Sequence, residues 1–249
     1  MPVPGQYLIA IPVYDGVDLL DVSAPYELFN WMAQIESQHN PAAPPRVVRL
    51  ISLDGPSITT RDGLTFGGDL PIFNQHSEYI SLLWIPGGEP DDLQRLMGDP
   101  QRMTWLLRQG ETAKFSASVC EGALLAAAAG LLDGYDVTTH WAFIACLKLF
   151  PQINVVEGYP RFVVDGQRIT GGGISSGLDE ALKIIAMISS DIVAQKVQLA
   201  IQYNPAPPFT SGDPSVAQPP VYTPGAGSTC EFSGMAATIA NVLKRKGST

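Results

Sequence analysis

The sequence predicts an α/β domain: a doubly wound, mostly parallel sheet with helices on both faces. Three observations lead there. Short β-branched or apolar runs alternate with helix-like segments over the first two hundred residues. One run, residues 79–85, is apolar nearly throughout, as in a parallel strand buried on both faces. The chain has 249 residues, 45% hydrophobic and 16% charged, which suits a large single core and not a disordered chain.

The elements follow in order. Tyr7–Val13 and Arg46–Ser52 read as strands, and residues 23–34 between them as a helix capped by Ser23, with Pro25 tolerated in its first turn. Residues 58–60 and 64–66 flank Arg61-Asp62-Gly63, a hairpin signal. Pro86-Gly87-Gly88 stops the strand at 79–85, and residues 91–98 and 101–109 read as helices. Residues 115–119 form a short strand, and the Ala/Leu-rich run 123–132 a buried helix; another helix is expected at 141–149 and a hairpin-like stretch at 154–170. After Gly171-Gly172-Gly173 comes a helix from 176 to 189 with Leu178, Leu182 and Ile185 on one stripe, then one capped by Ser190 that ends near Tyr203.

Residues 1–203 are therefore expected to form the α/β domain and 204–249 an appendage. Its first part, 204–229, holds seven prolines, three glycines and a single charge, Asp213. It reads as a packed extended arm or as a mobile tail. Ser228-x-x-Glu231 resembles a capping box before an apolar stripe at Met235, Ile239, Val242 and Leu243, a helix expected to dock on its own domain or on a second subunit.

Fifteen Lys and Arg against 24 Asp and Glu give a net charge of −9, which argues against nucleic acid as a partner. No apolar run approaches the ~20 residues of a membrane span, and the N-terminus lacks the basic region of a secretory signal. Three cysteines, an odd number, do not read as a disulfide framework. Together these point to a cytoplasmic protein without membrane association.

Cys120 is the leading candidate for chemistry. A strand, then Cys120-Glu121-Gly122, then an Ala-rich helix is the layout of a nucleophile elbow at the carboxyl edge of a sheet. The helix N-terminus behind it is expected to lower the thiol's pKa. The alternative is a buried structural cysteine, the reading favoured for Cys146 and Cys230. Asp21, apolar-flanked and placed after the first strand, suits a carboxyl of raised pKa that moves protons; it also suits a helix N-terminal carboxylate. Asp15 and Asp18 read as ordinary loop charges. The glycine clusters offer backbone N–H groups at Gly87, Gly88, Gly172 and Ile174 as an anion hole, or are tight turns and no more. Neither cluster is a nucleotide fingerprint. His140 either faces the site or caps a helix, His39 and His76 read as loop residues, and no His/Cys/Asp cluster has metal-ligand spacing, so neither metal nor cofactor is expected.

Several ordered motifs carry a resemblance: the Pro86-Gly87-Gly88 turn, Ser118-Val119-Cys120, Ala128-Ala129-Gly130-Leu131-Leu132, Thr138-Thr139-His140-Trp141-Ala142, Thr170 with the glycine triplet and Gly177, Asp179, Ala181 and Leu182, and Asn204-Pro205-Ala206-Pro207-Pro208-Phe209. Over about residues 5–210 the chain resembles the ThiJ/PfpI superfamily, whose fold is like class I glutamine amidotransferases, and within it the isonitrile hydratases. The resemblance implies a cofactor-free homodimer acting on a small molecule, with Cys120 as nucleophile and Asp21 as acid/base. Hydratases of this kind usually carry Thr after the cysteine. Here Glu121 stands there, a like-charge neighbour that can tune the site or touch substrate. Other thiol chemistries of the superfamily, α-oxoaldehyde hydration or amidase-like hydrolysis, and a ligand- or redox-sensing role are the alternatives.

Overall fold

The structure, a computed structural model, describes residues 5–247. The readings that touch residues 1–4 and 248–249, the N-terminal signal among them, lie outside the described residues.

In chain order the elements are β1 (Tyr7–Val13), α1 (Leu19–His39), β2 (Arg46–Ser52), β3 (Ser57–Thr59), β4 (Thr65–Gly67), β5 (Leu82–Ile85), α2 (Pro90–Met97), α3 (Pro100–Thr112), β6 (Phe115–Ser118), α4 (Gly122–Ala129), β7 (Asp136–Val137), α5 (Ile144–Leu147), β8 (Asn154–Val155), β9 (Phe162–Asp165), β10 (Arg168–Gly171), α6 (Ser176–Ile188), α7 (Asp191–Ala200) and α8 (Met235–Lys246). Six strands form one sheet in the order β2-β1-β5-β6-β10-β9. All neighbours are parallel except β9, which pairs antiparallel with β10 at the edge. This is the doubly wound, flavodoxin-like arrangement expected, with the strand order reversing between β1 and β5. Helices α1, α6 and α7 cover one face, and α2, α3, α4 and α8 the other. The central strands have water on neither side: Leu8–Ile11 and residues 82–85 are fully buried.

Several boundaries moved, each for a local reason. Helix α1 begins at Leu19, not Ser23, with Asp18 at its N-cap, so Pro25 lies inside it. Pro25 has no N–H to give the carbonyl of Asp21 four residues back; the indole Nε1 of Trp84 donates to that carbonyl instead, at 3.0 Å. A helix expected at 141–149 is a single turn of 3-10 helix followed by the four-residue α5. Tyr79, expected in a strand, stands exposed ahead of β5. Ser190 caps α7 as expected, its Oγ accepting from the N–H of Val193.

The appendage shows two corrections. No capping box forms at Ser228: Thr229 Oγ1 bonds Glu231 instead, and α8 starts at Met235 after Gly234 in the left-handed region. Cys230 is not a lone structural thiol. It is disulfide-bonded to Cys146 of α5, across a sequence separation of 84. The odd count concealed one pair and one free cysteine, so the cysteines no longer support the expectation of a cytoplasmic protein. Beside the bridge, Phe143 and Phe232 stack at 3.8 Å, and Trp141 packs edge-on against Tyr222. The arm is thus fastened to the domain at residues 141–146. Met235, Ile239 and Val242 of α8 are buried against α2 and α4 of the same chain. Among the described residues no helix is long and apolar enough to cross a membrane.

Candidate active site

Where β1 and β5 part company, the loops after three strands converge: Asp18 and Asp21 after β1, Pro86-Gly87-Gly88 after β5, and Cys120-Glu121 after β6. Cys120 has φ of 55°, a left-handed conformation uncommon for a side-chain-bearing residue. Such strain costs on the order of 1–3 kcal/mol and persists only where the surroundings fix it. Here they do. The Cys120 N–H donates to the carbonyl of Gly172 at 2.9 Å, and the hydroxyl of Thr139 donates to the Cys120 carbonyl at 2.7 Å. Two glycines make room: a Cβ on Gly122 would sit 2.2 Å from the carbonyl oxygen of Ile85, and one on Gly87 would sit 2.5 Å from Glu121 Oε2 and 2.9 Å from Cys120 Cβ. The elbow expected from the sequence is present, and the side chain it carries is fully buried.

Asp21 lies in the first turn of α1, its carbonyl held by Trp84 and its Oδ2 accepting the N–H of Gly87 at 2.8 Å. Its Oδ1 is buried without a partner. Glu121 points inward at 5% exposure; its own backbone N–H donates to its carboxyl, while Oε2 has no partner. Asp18, read from sequence as a loop charge, is buried here and paired with Arg61 at 3.0 Å, and Arg61 reaches Glu89 at 3.6 Å. Ligand-type atoms of Asp18, Asp21, Cys120 and Glu121 all lie within 4.8 Å of one another. Among the described residues these are the four grouped so that they could hold a metal ion. Sequence spacing could not show the group, because its members come from two separate loops. Buried carboxyls this close equally well share protons in place of a cation.

Crowding of this kind sets the protonation. Burial pushes the Asp21 carboxyl well above the carboxylate range, with the charges of Glu121 and Asp18 adding to it. Burial lifts Glu121 to about 7, against a hydrogen bond from the Cys120 thiol that favours its ionised form. Burial, then Glu121 and Asp21, drive the Cys120 thiol well above its ordinary value. The expectation of a lowered thiol pKa is therefore corrected: two acidic neighbours and lost hydration outweigh the dipole of an eight-residue helix. Burial and crowding thus favour the neutral forms of the Cys120 thiol and of Asp21, while Glu121 titrates at about 7.

The expected backbone donors divide. Gly87 gives its N–H to Asp21 and Gly172 gives its own to the carbonyl of Arg161 at 2.8 Å, so neither is open to a ligand. Gly88 and Ile174 have N–H groups without an acceptor among the described residues. His140 caps the 3-10 turn, its Nδ1 accepting from Ala142 N at 3.3 Å, and its ring lies against Gly173. Burial lowers it to about 4, so it is neutral. His39 accepts no role here: it bonds Ile35 and Lys196 at the far end of α1.

Three residues near the crevice escaped the sequence reading. Arg61 comes from the β3–β4 hairpin, and only the fold brings it to Asp18. Tyr14 is fully buried and donates its hydroxyl to the carbonyl of Pro86 at 3.0 Å, bracing the turn. Glu180 of α6 is fully buried with neither carboxyl oxygen partnered; burial, then Asp21, raise it well above its ordinary value. Its place at helical spacing from Gly177, Ala181 and Ile184, which are buried with it, was the available signal.

Known proteins bear on this geometry. Residues 8–187 match the DJ-1/PfpI family. Isonitrile hydratase of Pseudomonas putida is 33% identical over 214 residues, 84% of each chain. The HTH-type transcriptional regulator GbdR of Pseudomonas aeruginosa is 30% identical over 136 residues, 54% of this chain and 35% of the regulator. Among solved structures, a ThiJ/PfpI family protein from Pseudomonas syringae superposes with a TM-score of 0.81 at 29% identity, covering 95% of this chain and 91% of that one. Drosophila melanogaster DJ-1beta superposes with a TM-score of 0.67 at 17% identity, covering 80% of this chain and all of that one, a likeness of fold.

Proposed function

The chain belongs to the DJ-1/PfpI family, and from that premise we propose that it is a hydro-lyase that adds water to an isonitrile, R–N≡C, giving the formamide R–NH–CHO. The observation that carries the reading is a buried cysteine on a strained turn between two carboxyls of raised pKa. An isonitrile carbon must receive a proton and a nucleophile, and each has a source here. Glu121, ionised in about half the molecules near pH 7, takes the proton of the Cys120 thiol as sulfur bonds to the carbon. Asp21 delivers its own proton to that carbon, leaving the thioimidate Cys120–S–CH=N–R. Asp21, now ionised, draws a proton from water as the water oxygen adds to the same carbon, and that proton passes to nitrogen. Collapse of the adduct breaks the C–S bond, the Asp21 carboxylate takes the proton of the adduct's hydroxyl, Glu121 returns its own proton to sulfur, and R–NH–CHO departs. One water is consumed and every protein group regains its starting state. Likeness to the Pseudomonas putida isonitrile hydratase across most of both chains supports this reading.

The test is direct. Wild-type protein converts an isonitrile to the formamide, followed by proton NMR, and Cys120→Ser with unchanged circular dichroism does not. Retained turnover in that variant rejects the reading. Glu121 favours one second reading, another thiol reaction on the same site, so methylglyoxal is assayed beside the isonitrile. Conversion of methylglyoxal alone would replace hydration with α-oxoaldehyde chemistry. The acting unit is read as a homodimer; a monomer in sedimentation at micromolar concentration refutes that.

A further inference from the structure

A second concavity, of about 820 Å³, adjoins the elbow from its other side. It touches the nucleophile's turn at two points. Gly172, whose carbonyl accepts the Cys120 N–H, and Thr139, whose hydroxyl donates to the Cys120 carbonyl, both line it. The far wall is the Pro-rich arm, and this gives the arm a reason to be fastened where it is: the Cys146–Cys230 bridge and the Phe143–Phe232 stack anchor it beside Trp141, itself a lining residue.

Two kinds of surface face this space. Trp141, Tyr159, Phe209 and Val216 are apolar or aromatic, and the last three stand exposed, Phe209 by 78%. Large apolar side chains left facing one cavity are ready to cover a flat apolar group. At the other end lies the N-terminus of the 13-residue α6. The N–H groups of Gly173, Ile174 and Ser175 have no acceptor among the described residues. Ser176 belongs to the same lining; it is 1% exposed and its hydroxyl is buried without a partner. Unpaired donors at a helix N-terminus call for an acceptor of negative charge. Arg161, also of this lining, carries donors only and is engaged with Asp179 and the carbonyl of Ser175. Asp213 at the rim is tied to Ser215.

We propose that this cavity receives the organic group of the substrate and selects an aromatic group that carries a carboxylate. The ring lies between Phe209 and Tyr159, and the carboxylate accepts from the amides of residues 173–175 and the Ser176 hydroxyl. This rests on the hydration reading for the identity of the reacting end, but the cavity's selectivity is read out by binding alone.

The probes are three product formamides, N-(4-carboxybenzyl)formamide, N-benzylformamide and N-ethylformamide, titrated calorimetrically into the full chain. Affinity is expected to fall in that order. Phe209→Ala, at an exposed position, should weaken both aromatic probes about tenfold. Ser176→Ala should weaken the carboxylated probe alone, again by about tenfold. Equal affinities for the three probes, or variants without effect, overturn the assignment. So does a change in sedimentation of Phe209→Ala without a change in binding, which would give the arm to a second copy of the chain. The corresponding isonitriles keep the two readings apart. Ranked binding without turnover retains the cavity and removes hydration; turnover at equal kcat/KM for all three retains hydration and removes the cavity's role.

Discussion

Cys120 and Cys146 are both fully buried, yet their surroundings assign them opposite fates. Cys146 sits on α5 in ordinary helical backbone, among aromatic rings, with Cys230 close enough to bond, the two Cα atoms 4.6 Å apart. Cys120 sits in left-handed backbone, with no thiol partner and two carboxyls beside it. Burial alone therefore says little about a cysteine. Backbone strain and neighbouring charge separate the thiol proposed for chemistry from the one that holds the chain together.

The contrast breaks most visibly at Cys120. Cys120→Ala should lower turnover by at least ~10³-fold with the fold intact, since the covalent route is lost altogether. In the wild type, peptide mapping after iodoacetamide should find label on Cys120 alone, and slow labelling below its raised pKa. Rapid labelling at Cys146 or Cys230 would erase the distinction between the two regions.

Glu121 sharpens it next. With its pKa near 7, the ionised carboxylate that accepts the thiol proton accumulates as pH rises through that value. The rate should therefore climb between about pH 6 and 8 in the wild type. Glu121→Gln should lose that limb and fall by ~10²–10⁴-fold, the usual contribution of a positioned base. Identical profiles would remove Glu121 from the proton path and leave it as a bystander.

On the structural side, replacing both Cys146 and Cys230 by Ser should cost about 2–5 kcal/mol in urea unfolding, because the bridge closes a long loop in the unfolded chain. Loss of stability with Cys120 chemistry unchanged toward an ethyl isonitrile would show that the two cysteine regions are independent. A parallel loss of both would show that the arm supports the elbow.

Much of this was legible in the sequence, and the misses have physical causes. Continuous apolar runs betray buried parallel strands, so the sheet, its winding and the elbow at Cys120 could be read directly. The start of α1 could not, because Pro25 looks like a first-turn residue, and only the donor from Trp84 makes it tolerable further in. Nor could the start of α8, where the disulfide takes Cys230 out of the cap that Ser228 and Glu231 suggested. Asp18 and Arg61 are 43 residues apart and meet across a hairpin, which no local pattern reports. The sign of the Cys120 shift was missed because a helix dipole is visible in sequence, while three carboxyls folded into one crevice are not.

The smallest expected effect lies at Glu180, on the face of the sheet opposite the arm's anchor. Its carboxyl is fully buried, both oxygens lack partners, and Oε2 crowds Gly171, where an added Cβ would meet it at 2.2 Å. Such a group must stay protonated, and an unsatisfied buried polar group costs ~1–3 kcal/mol. Glu180→Met keeps the length and removes the polar atoms, so it should stabilise the fold by about that amount at pH 8. The pH dependence gives the sign. The folded pKa is raised well above the unfolded one, so any stability tied to this group is fully present below the unfolded value near 4.5 and is lost as pH rises toward the folded one. The advantage of Glu180→Met should accordingly grow between pH 5 and 8 in urea titrations and shrink at the acid end. Asp21 is among the causes of the shift, but a protonated Glu180 carries no charge to act back on Asp21, so its removal should leave turnover unchanged. A variant that gains stability with turnover within twofold of wild type makes Glu180 a structural burden separate from the elbow. One that gains no stability and loses turnover would instead join α6 to the proton chemistry of Cys120.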